Sequence, residues 1–312
     1  MTPTNQPSPE DATLSSQEEL AGKCAVVTGA SEGIGFHTAR LLAIRGATVL
    51  VTGRDPERGA TAVAAIRQAA HHDRVEFVAV DHSTVEANEQ LAATLAERFD
   101  HLDVLVNNVG GIFANRLVSA DGYEMSLALN FLAPFVLTEA LLPLLTAGPG
   151  AARCVNVVSS SFQMTKGDPF ANIEADNGYV GIYVHGRAKL FTLLWSIGLS
   201  HRVPAGQAVI TAVNPGMAWT SMTQSLSPQI VPAWRHIMPI VRFFQRRADP
   251  ERAAQHCARL VVAEPNTVEG RYFDGTKPKR LPPKFADPSL PDRVLAIGTD
   301  LRAGAPDAGG QQ

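Results

Sequence analysis

Six continuous apolar runs of strand length, separated by longer segments with leucine and alanine at helical spacing, constrain the fold of this chain more than any other feature. The runs are CAVVT (24–28), ATVLVT (47–52), VEFVAV (75–80), DVLVN (103–107), CVNVV (154–158) and AVITAV (208–213). Runs without polar alternation belong to strands covered on both faces. The segments 33–45, 57–70, 84–99, 121–146 and 185–201 lie between and after them, with helix periodicity. Strand and helix in alternation, joined by right-handed crossovers, predict an α/β fold: a single doubly wound parallel sheet with helices on both faces. Ligands then bind beyond the carboxyl ends of the strands, and the chemistry is expected there.

The pattern assigns residues 21–284 to one domain within a chain of 312 residues. Apolar residues make up 45% and charged residues 18%, the balance of an ordinary globular protein. With Lys+Arg at 27 against Asp+Glu at 30, the net charge of −3 provides no field for nucleic acid or an anionic membrane surface, and nucleic acid is excluded as a partner. Cys24, Cys154 and Cys257 are too few and too scattered for a disulfide framework or a zinc site, so no metal is expected. They read as small buried apolar residues of a protein from a reducing, cytoplasmic compartment. Residues 1–20 lack both a basic start and an apolar stretch; they read as a disordered polar tail rather than a secretory signal. Residues 285–312, rich in Pro, Gly, Ala and Asp, read as a flexible C-terminal tail. The run 127–145 is long enough to raise the question of a membrane span, but Asn130, Pro134, Thr138, Glu139 and Pro143 interrupt it. A buried amphipathic helix, and no membrane span, is the expectation.

The first strand runs into Thr28-Gly29-Ala30-Ser31-Glu32-Gly33-Ile34-Gly35, where a helix begins. Glycines at this turn let the backbone approach a pyrophosphate, and the helix start offers unpaired N–H groups and partial positive charge. A tight turn alone could use the same residues. Its place between the first strand and first helix makes it a dinucleotide site of the Rossmann type.

The spacing Gly-x-x-x-Gly-x-Gly resembles the short-chain dehydrogenase/reductase family, and the resemblance extends along most of residues 22–275. It implies cofactor contacts from Gly29, Ser31, Gly33, Ile34 and Gly35. The second strand ends in Thr52-Gly53-Arg54, where an NAD-preferring enzyme would carry an acidic residue. A cation there suits a 2′-phosphate through a charge-assisted contact, so NADP(H) is expected over NAD(H). Asp81 matches the family's adenine-contacting Asp, and Asn107-Asn108-Val109-Gly110 is similar to its Asn-Asn-Ala-Gly segment, implying Asn107 and Val109 at the cofactor. Asn214-Pro215-Gly216-Met217-Ala218-Trp219-Thr220 resembles the segment that fixes the nicotinamide amide, implying Pro215, Gly216 and Thr220.

The resemblance also implies a catalytic set in which a Tyr donates the proton, a Ser holds the substrate oxygen, a Lys lowers the Tyr pKa and holds the ribose, and an Asn supports the Lys through water. Asn130 and Lys189 match two of these positions. Counting along the fifth strand selects Ser159 for the serine, whereas counting back from Gly167-Asp168-Pro169-Phe170 selects Ser160; Ser159 is taken, with Ser161 serving the turn. The tyrosine is missing. His185 stands four residues before Lys189, one helical turn away on the same face, where the family has its Tyr. Tyr183, six before Lys189, would lie about 240° round the helix, and could act only if the helix began late. An imidazole beside an ammonium is pushed towards its neutral form, which still donates a hydrogen bond to a developing oxyanion. Three readings stay open at this level: a native replacement donor, an inactivating change, or a cofactor-binding protein without turnover.

Residues 219–247 carry Met222, Leu226, Ile230, Val231, Trp234, Ile237, Met238, Ile240, Phe243 and Phe244, the composition of a lid over an apolar pocket. Glu269–Asp274 reads as the last strand and Lys277-Pro278-Lys279-Arg280 as a solvated basic turn. With the long loop between Ser161 and Tyr179, these features resemble the retinol-dehydrogenase-like branch, which handles apolar alcohols and carbonyls. The expected function is NADP-dependent reduction of a ketone or aldehyde on an apolar small molecule, polycyclic ones included, or oxidation of the alcohol. The alternatives are an NADP-binding sensor or scaffold, and an imine reductase. The resemblance further implies a homo-oligomer paired through helices 121–146 and 185–201.

Overall fold

The computed structural model describes residues 19–232, 242–243 and 246–305. Eight strands form one sheet in the order β3-β2-β1-β4-β5-β6-β7-β8. They are β1 (Cys24–Val27), β2 (Thr48–Gly53), β3 (Val75–Ala79), β4 (Val104–Asn107), β5 (Ala152–Val157), β6 (Ala208–Asn214), β7 (Tyr272–Asp274) and β8 (Lys277–Lys279), parallel except for β8. The order reverses between β1 and β4, which opens a crevice at the carboxyl ends of both.

The apolar runs alternate faces with the period of two that strands impose. Val26, Leu105, Cys154 and Ile210 enter one buried cluster, and Ala25, Val27, Val104, Val106, Val155 and Val157 enter the other. Helices α1 (Gly33–Ile44), α2 (Pro56–Ala70) and α7 (Pro250–Val262) contribute to the second cluster. Helices α3 (Val85–Arg98), α4 (Met125–Ala147), α5 (Gly181–Arg202) and α9 (Leu290–Gly304) contribute to the first. Two short helices, α6 (Ser221–Gln224) and α8 (Pro265–Val268), flank α7 in the chain. All three cysteines are free and buried, and burial pushes the thiols of Cys24 up to about 11 and of Cys154 and Cys257 up to about 12. They are packing residues with no accessible thiolate.

Helix α4 is long and apolar enough to cross a membrane, yet 72% of its apolar window is buried inside the fold. It is the central core helix on its face of the sheet. Its second turn, Ala128–Leu132, is a π-helix, which inserts one extra residue and carries Asn130.

Three expectations are corrected by the structure. The segment 285–312 is not wholly a flexible tail, because Leu290–Gly304 forms α9 and lies on α4 and α5. Its Pro, Gly and Ala content hides apolar residues at helical spacing, Leu290, Val294, Ile297 and Leu301, which pack on the core. Gly298 sits against Phe135 and Gly198 of α5 against Pro291, so small residues let the helices approach closely. Arg302 pairs with Glu89 at 2.6 Å and the Tyr123 hydroxyl donates to Leu301 O at 2.6 Å. Residues 306–312 lie outside the described residues. Secondly, Lys277–Lys279 is an antiparallel edge strand rather than a basic turn; the chain reverses at Gly275, whose φ is +59°. Charged side chains and an edge proline are compatible with an unpaired outer edge. Thirdly, Leu20 is buried and its N–H donates to Arg45 O at 2.8 Å, so the ordered fold begins before residue 21. Residues 1–18 of the expected tail lie outside the described residues.

The close contact at Gly298 gives a stability prediction. A Cβ there would stand 2.6 Å from the Phe135 ring, so Gly298→Leu is expected to lower the unfolding free energy by about 1–3 kcal/mol, measured as a lower denaturant midpoint.

Candidate active site

The carboxyl ends of β1, β2, β4, β5 and β6 border one open cavity of about 650 Å³. At its first end, Gly29 and Gly33 adopt φ of +61° and +62°, a left-handed backbone that glycine takes without strain. Gly35 is required for a different reason: a Cβ there would meet Asn108 Nδ2 at 2.4 Å and Gly29 O at 2.6 Å. The N-cap of α1, Glu32, makes no side-chain cap bond, which leaves the first N–H groups of the helix for a ligand. Gly33 and Ile34 line the cavity beside them, together with Ser31 and Arg54. Arg54 is exposed and makes no ion pair among the described residues, whereas Arg58 is engaged with Asp55 at 3.2 Å and Glu32 at 3.8 Å.

Asn107, expected at the cofactor, does not line the cavity; its neighbour Asn108 does. Adjacent residues at a strand end point to opposite faces. Asn107 turns into the core, where its amide donates to Thr138 Oγ1 at 2.8 Å and Asn156 Oδ1 at 2.7 Å. Asn108 lines the cavity and ties β4 to β1, donating to Thr28 O at 2.9 Å and Gly29 O at 3.0 Å. Thr28 Oγ1 accepts from the N–H groups of Asn108 and Val109, both at 3.0 Å. The expected Val109, Pro215, Gly216 and Thr220 all line the cavity. Asp81 does not: it is exposed and accepts from Ser83 N at 3.0 Å, while its neighbours Val80 and His82 form the wall. His82 is pinned there by Thr52 Oγ1 and Asn88 Oδ1, each at 2.7 Å.

At the other end stand Ser159, Ser160, His185 and Lys189. Helix α5 begins at Gly181, so His185 and Lys189 share one face, as their spacing predicts. Both are buried, 5% exposed each. The Lys189 ammonium donates to Val157 O at 2.8 Å, and burial pushes its pKa down to about 7. Burial, then the charge of Lys189, pushes His185 down to about 3, so its imidazole is neutral at physiological pH. Its Nδ1 lies 2.9 Å from Ser161 Oγ. Ser159 lines the cavity and also caps the turn, its Oγ accepting from Ser161 N at 3.2 Å, while Ser161, expected only at the turn, reaches the histidine. None of the four tyrosines lines the cavity. Tyr183 lies inside the helix with the Lys166 ammonium 4.4 Å from its ring centroid, and Tyr179 is directed to Phe113 O and Glu124.

Asn130 is fully buried behind this wall and does not line the cavity. Its amide donates to Gly111 O at 2.7 Å and Ser126 O at 2.8 Å, and its Oδ1 accepts from Gly111 N at 3.2 Å. The side chain thus clamps the segment after β4 to the π-turn. A Cβ at Gly110 would lie 2.5 Å from Asn130 Oδ1 and 3.4 Å from Lys189 Nζ, so the glycine separates the two groups closely without a direct bond between them. Of the expected lid, Met222 and Leu226 line the cavity, and Ile230 and Val231 are buried against Ile112 and Ile182. Trp234, Ile237, Met238, Ile240 and Phe244 lie outside the described residues.

A doubly wound sheet with a glycine cradle at β1, a helix start facing it and a buried His–Lys pair at the same cavity defines a dinucleotide-binding oxidoreductase architecture. The short chain dehydrogenase family model matches residues 23–230, and the chain belongs to that family, in its retinol-dehydrogenase-like branch. It is 30% identical to Retinol dehydrogenase 12 of Homo sapiens over 283 residues, covering 91% of this chain and 87% of that protein. Among solved structures it resembles a protein from Mycobacterium Paratuberculosis, with a TM-score of 0.67 and 24% identity over 91% of this chain and 94% of that one. It also resembles the Pseudomonas aeruginosa RhlG/NADP active-site complex, with a TM-score of 0.64 and 27% identity over 83% of this chain and 96% of that one.

Proposed function

We propose that the protein is an NADP(H)-dependent oxidoreductase that reduces a ketone or aldehyde on an apolar small molecule, or oxidises the corresponding alcohol. The observation that carries this reading is the continuity of one cavity from Arg54 and the start of α1 to His185 and Lys189. The glycine cradle and the free N–H groups fit a pyrophosphate, and the unpaired Arg54 fits a 2′-phosphate. The bound cofactor supplies hydride donor and acceptor chemistry. The relatives named retinol dehydrogenases and the neighbour bound to NADP support the same cofactor and an apolar alcohol or carbonyl.

Within that reading, Gly29, Ser31, Gly33, Ile34, Arg54, Val109, Pro215, Gly216 and Thr220 bind the cofactor, and Lys189 holds its ribose. Ser159 binds the substrate oxygen, and His185 supplies a neutral N–H to the same oxygen as negative charge develops on it. Asn130 positions the segment at Gly110 and Gly111 rather than touching substrate. Ile112, Phe113, Leu129, Met222 and Leu226 give the cavity its apolar wall, which suits a substrate with few polar groups.

The test is NADPH consumption on a panel of apolar ketones, aldehydes and imines. NADPH is expected to be preferred over NADH. Arg54→Ala should raise the KM for NADPH about tenfold, the value of one charge-assisted contact, and leave that for NADH within about twofold. No turnover of any carbonyl, or no loss of NADPH affinity in the variant, overturns the reading.

A further inference from the structure

The turn Ser160–Met164 that follows β5 lies directly on α5, and glycine at position 186 is what opens the approach. A Cβ on Gly186 would stand 2.4 Å from the Ser161 carbonyl oxygen. The close docking brings Ser161 Oγ to 2.9 Å from His185 Nδ1, with both residues buried. A serine hydroxyl has one proton to donate, and leaving that proton without an acceptor in a buried site is costly. Among the described residues His185 Nδ1 is the only hydrogen-bond partner of Ser161 Oγ. If Nδ1 carried a proton, Ser161 would accept it and its own proton would be stranded. If Nδ1 is bare, the hydroxyl donates to it and both groups are satisfied.

We propose that Ser161 is a positioning residue that fixes His185 in the Nε2–H tautomer, so that the imidazole offers the cavity a hydrogen-bond donor and no acceptor. Nδ1 is occupied by the hydroxyl, and Nε2 is the ring nitrogen left for a ligand. The consequence rests on the carbonyl-reductase reading: a neutral N–H is the form that stabilises oxygen gaining negative charge. The tautomer itself does not rest on it. Sequence counting gave Ser161 only the turn, since the hydroxyl meets the histidine across a separation of 24 residues.

The experiment is long-range ¹H–¹⁵N correlation on the full chain labelled at histidine, with His185 assigned by its loss in His185→Gln. The expected pattern for the unmodified protein is a bare, pyridine-type Nδ1 and a protonated Nε2. In Ser161→Ala the Nε2–H pattern should give way to a mixture of tautomers. A protonated Nδ1 in the unmodified protein, or an unchanged pattern in Ser161→Ala, overturns the assignment. In the same preparations kcat with a carbonyl substrate should fall on the order of 10²-fold in Ser161→Ala, the lower end of what a positioned acid–base group contributes, with the KM for NADPH unchanged. The expected tautomer with no carbonyl turnover in either protein sinks the reductase reading and leaves the Ser161 assignment standing.

Discussion

His185→Phe is expected to lower kcat/KM for carbonyl reduction roughly 10²–10⁴-fold, the range for loss of a positioned proton or hydrogen-bond donor. Phenylalanine keeps a ring of similar bulk in the buried position and removes both nitrogens. Lys189 would retain its bond to Val157 O, so the cofactor end should be intact, with NADPH binding by fluorescence titration within about threefold of the unmodified protein. His185→Tyr separates the remaining readings. A slower Tyr variant identifies His185 as a working replacement suited to its own surroundings, Ser161 among them. Turnover by the Tyr variant alone would mark the histidine as inactivating. The expected result is the former, because Ser161 reaches Nδ1 through a turn docked at Gly186. A phenol has no acceptor nitrogen for that hydroxyl.

The second large effect is a loss of stability on the acid side. His185 has an ordinary pKa of 6.5 and is held at about 3 in the fold, so between these values the unfolded chain takes up a proton that the folded protein refuses. Stability is therefore present above pH 6.5 and drains away as pH falls towards 3. The linkage amounts to about 2 kcal/mol between pH 7 and pH 5. His82, whose pKa burial also lowers, acts with the same sign, while buried Glu124 and half-buried Glu174, whose pKa values desolvation raises, act with the opposite one. The comparison that isolates His185 is urea unfolding of the protein and of His185→Phe at both pH values. The variant should gain about 2 kcal/mol on the unmodified protein as pH drops from 7 to 5. A difference independent of pH would show that the imidazole titrates freely. Lys189 works at the alkaline end: held at about 7 against an ordinary 10.5, it adds stability as pH rises from 7 through 10.5.

The two ends of the cavity differ in how far the sequence reveals them. The glycine turn is legible because its constraint is local: positive φ at Gly29 and Gly33 and the tight packing at Gly35 belong to a few consecutive residues. The His185–Lys189 pair is legible because helical spacing alone puts residues four apart on one face. The serine is not legible in the same way. Ser159, Ser160 and Ser161 are consecutive, and which of them meets the histidine depends on how a turn of 5 residues seats on α5. Asn107 and Asn108 pose the same difficulty, since alternation guarantees that they diverge and cannot say which one faces the crevice.

The sequence by itself determined the alternation of the first six strands with their helices, their parallel sheet, the glycine turn and the His–Lys pair, because each follows from periodicity or from residues close in the chain. Only the tertiary structure decided that Asn130 closes on Gly111 through a π-turn, that Ser161 reaches His185, and that Leu290–Gly304 packs as a helix on α4 and α5. Each of these depends on contacts between segments far apart in sequence. The composition of α9 looks like a tail until Phe135 and Pro291 are in place to show what its small residues are for.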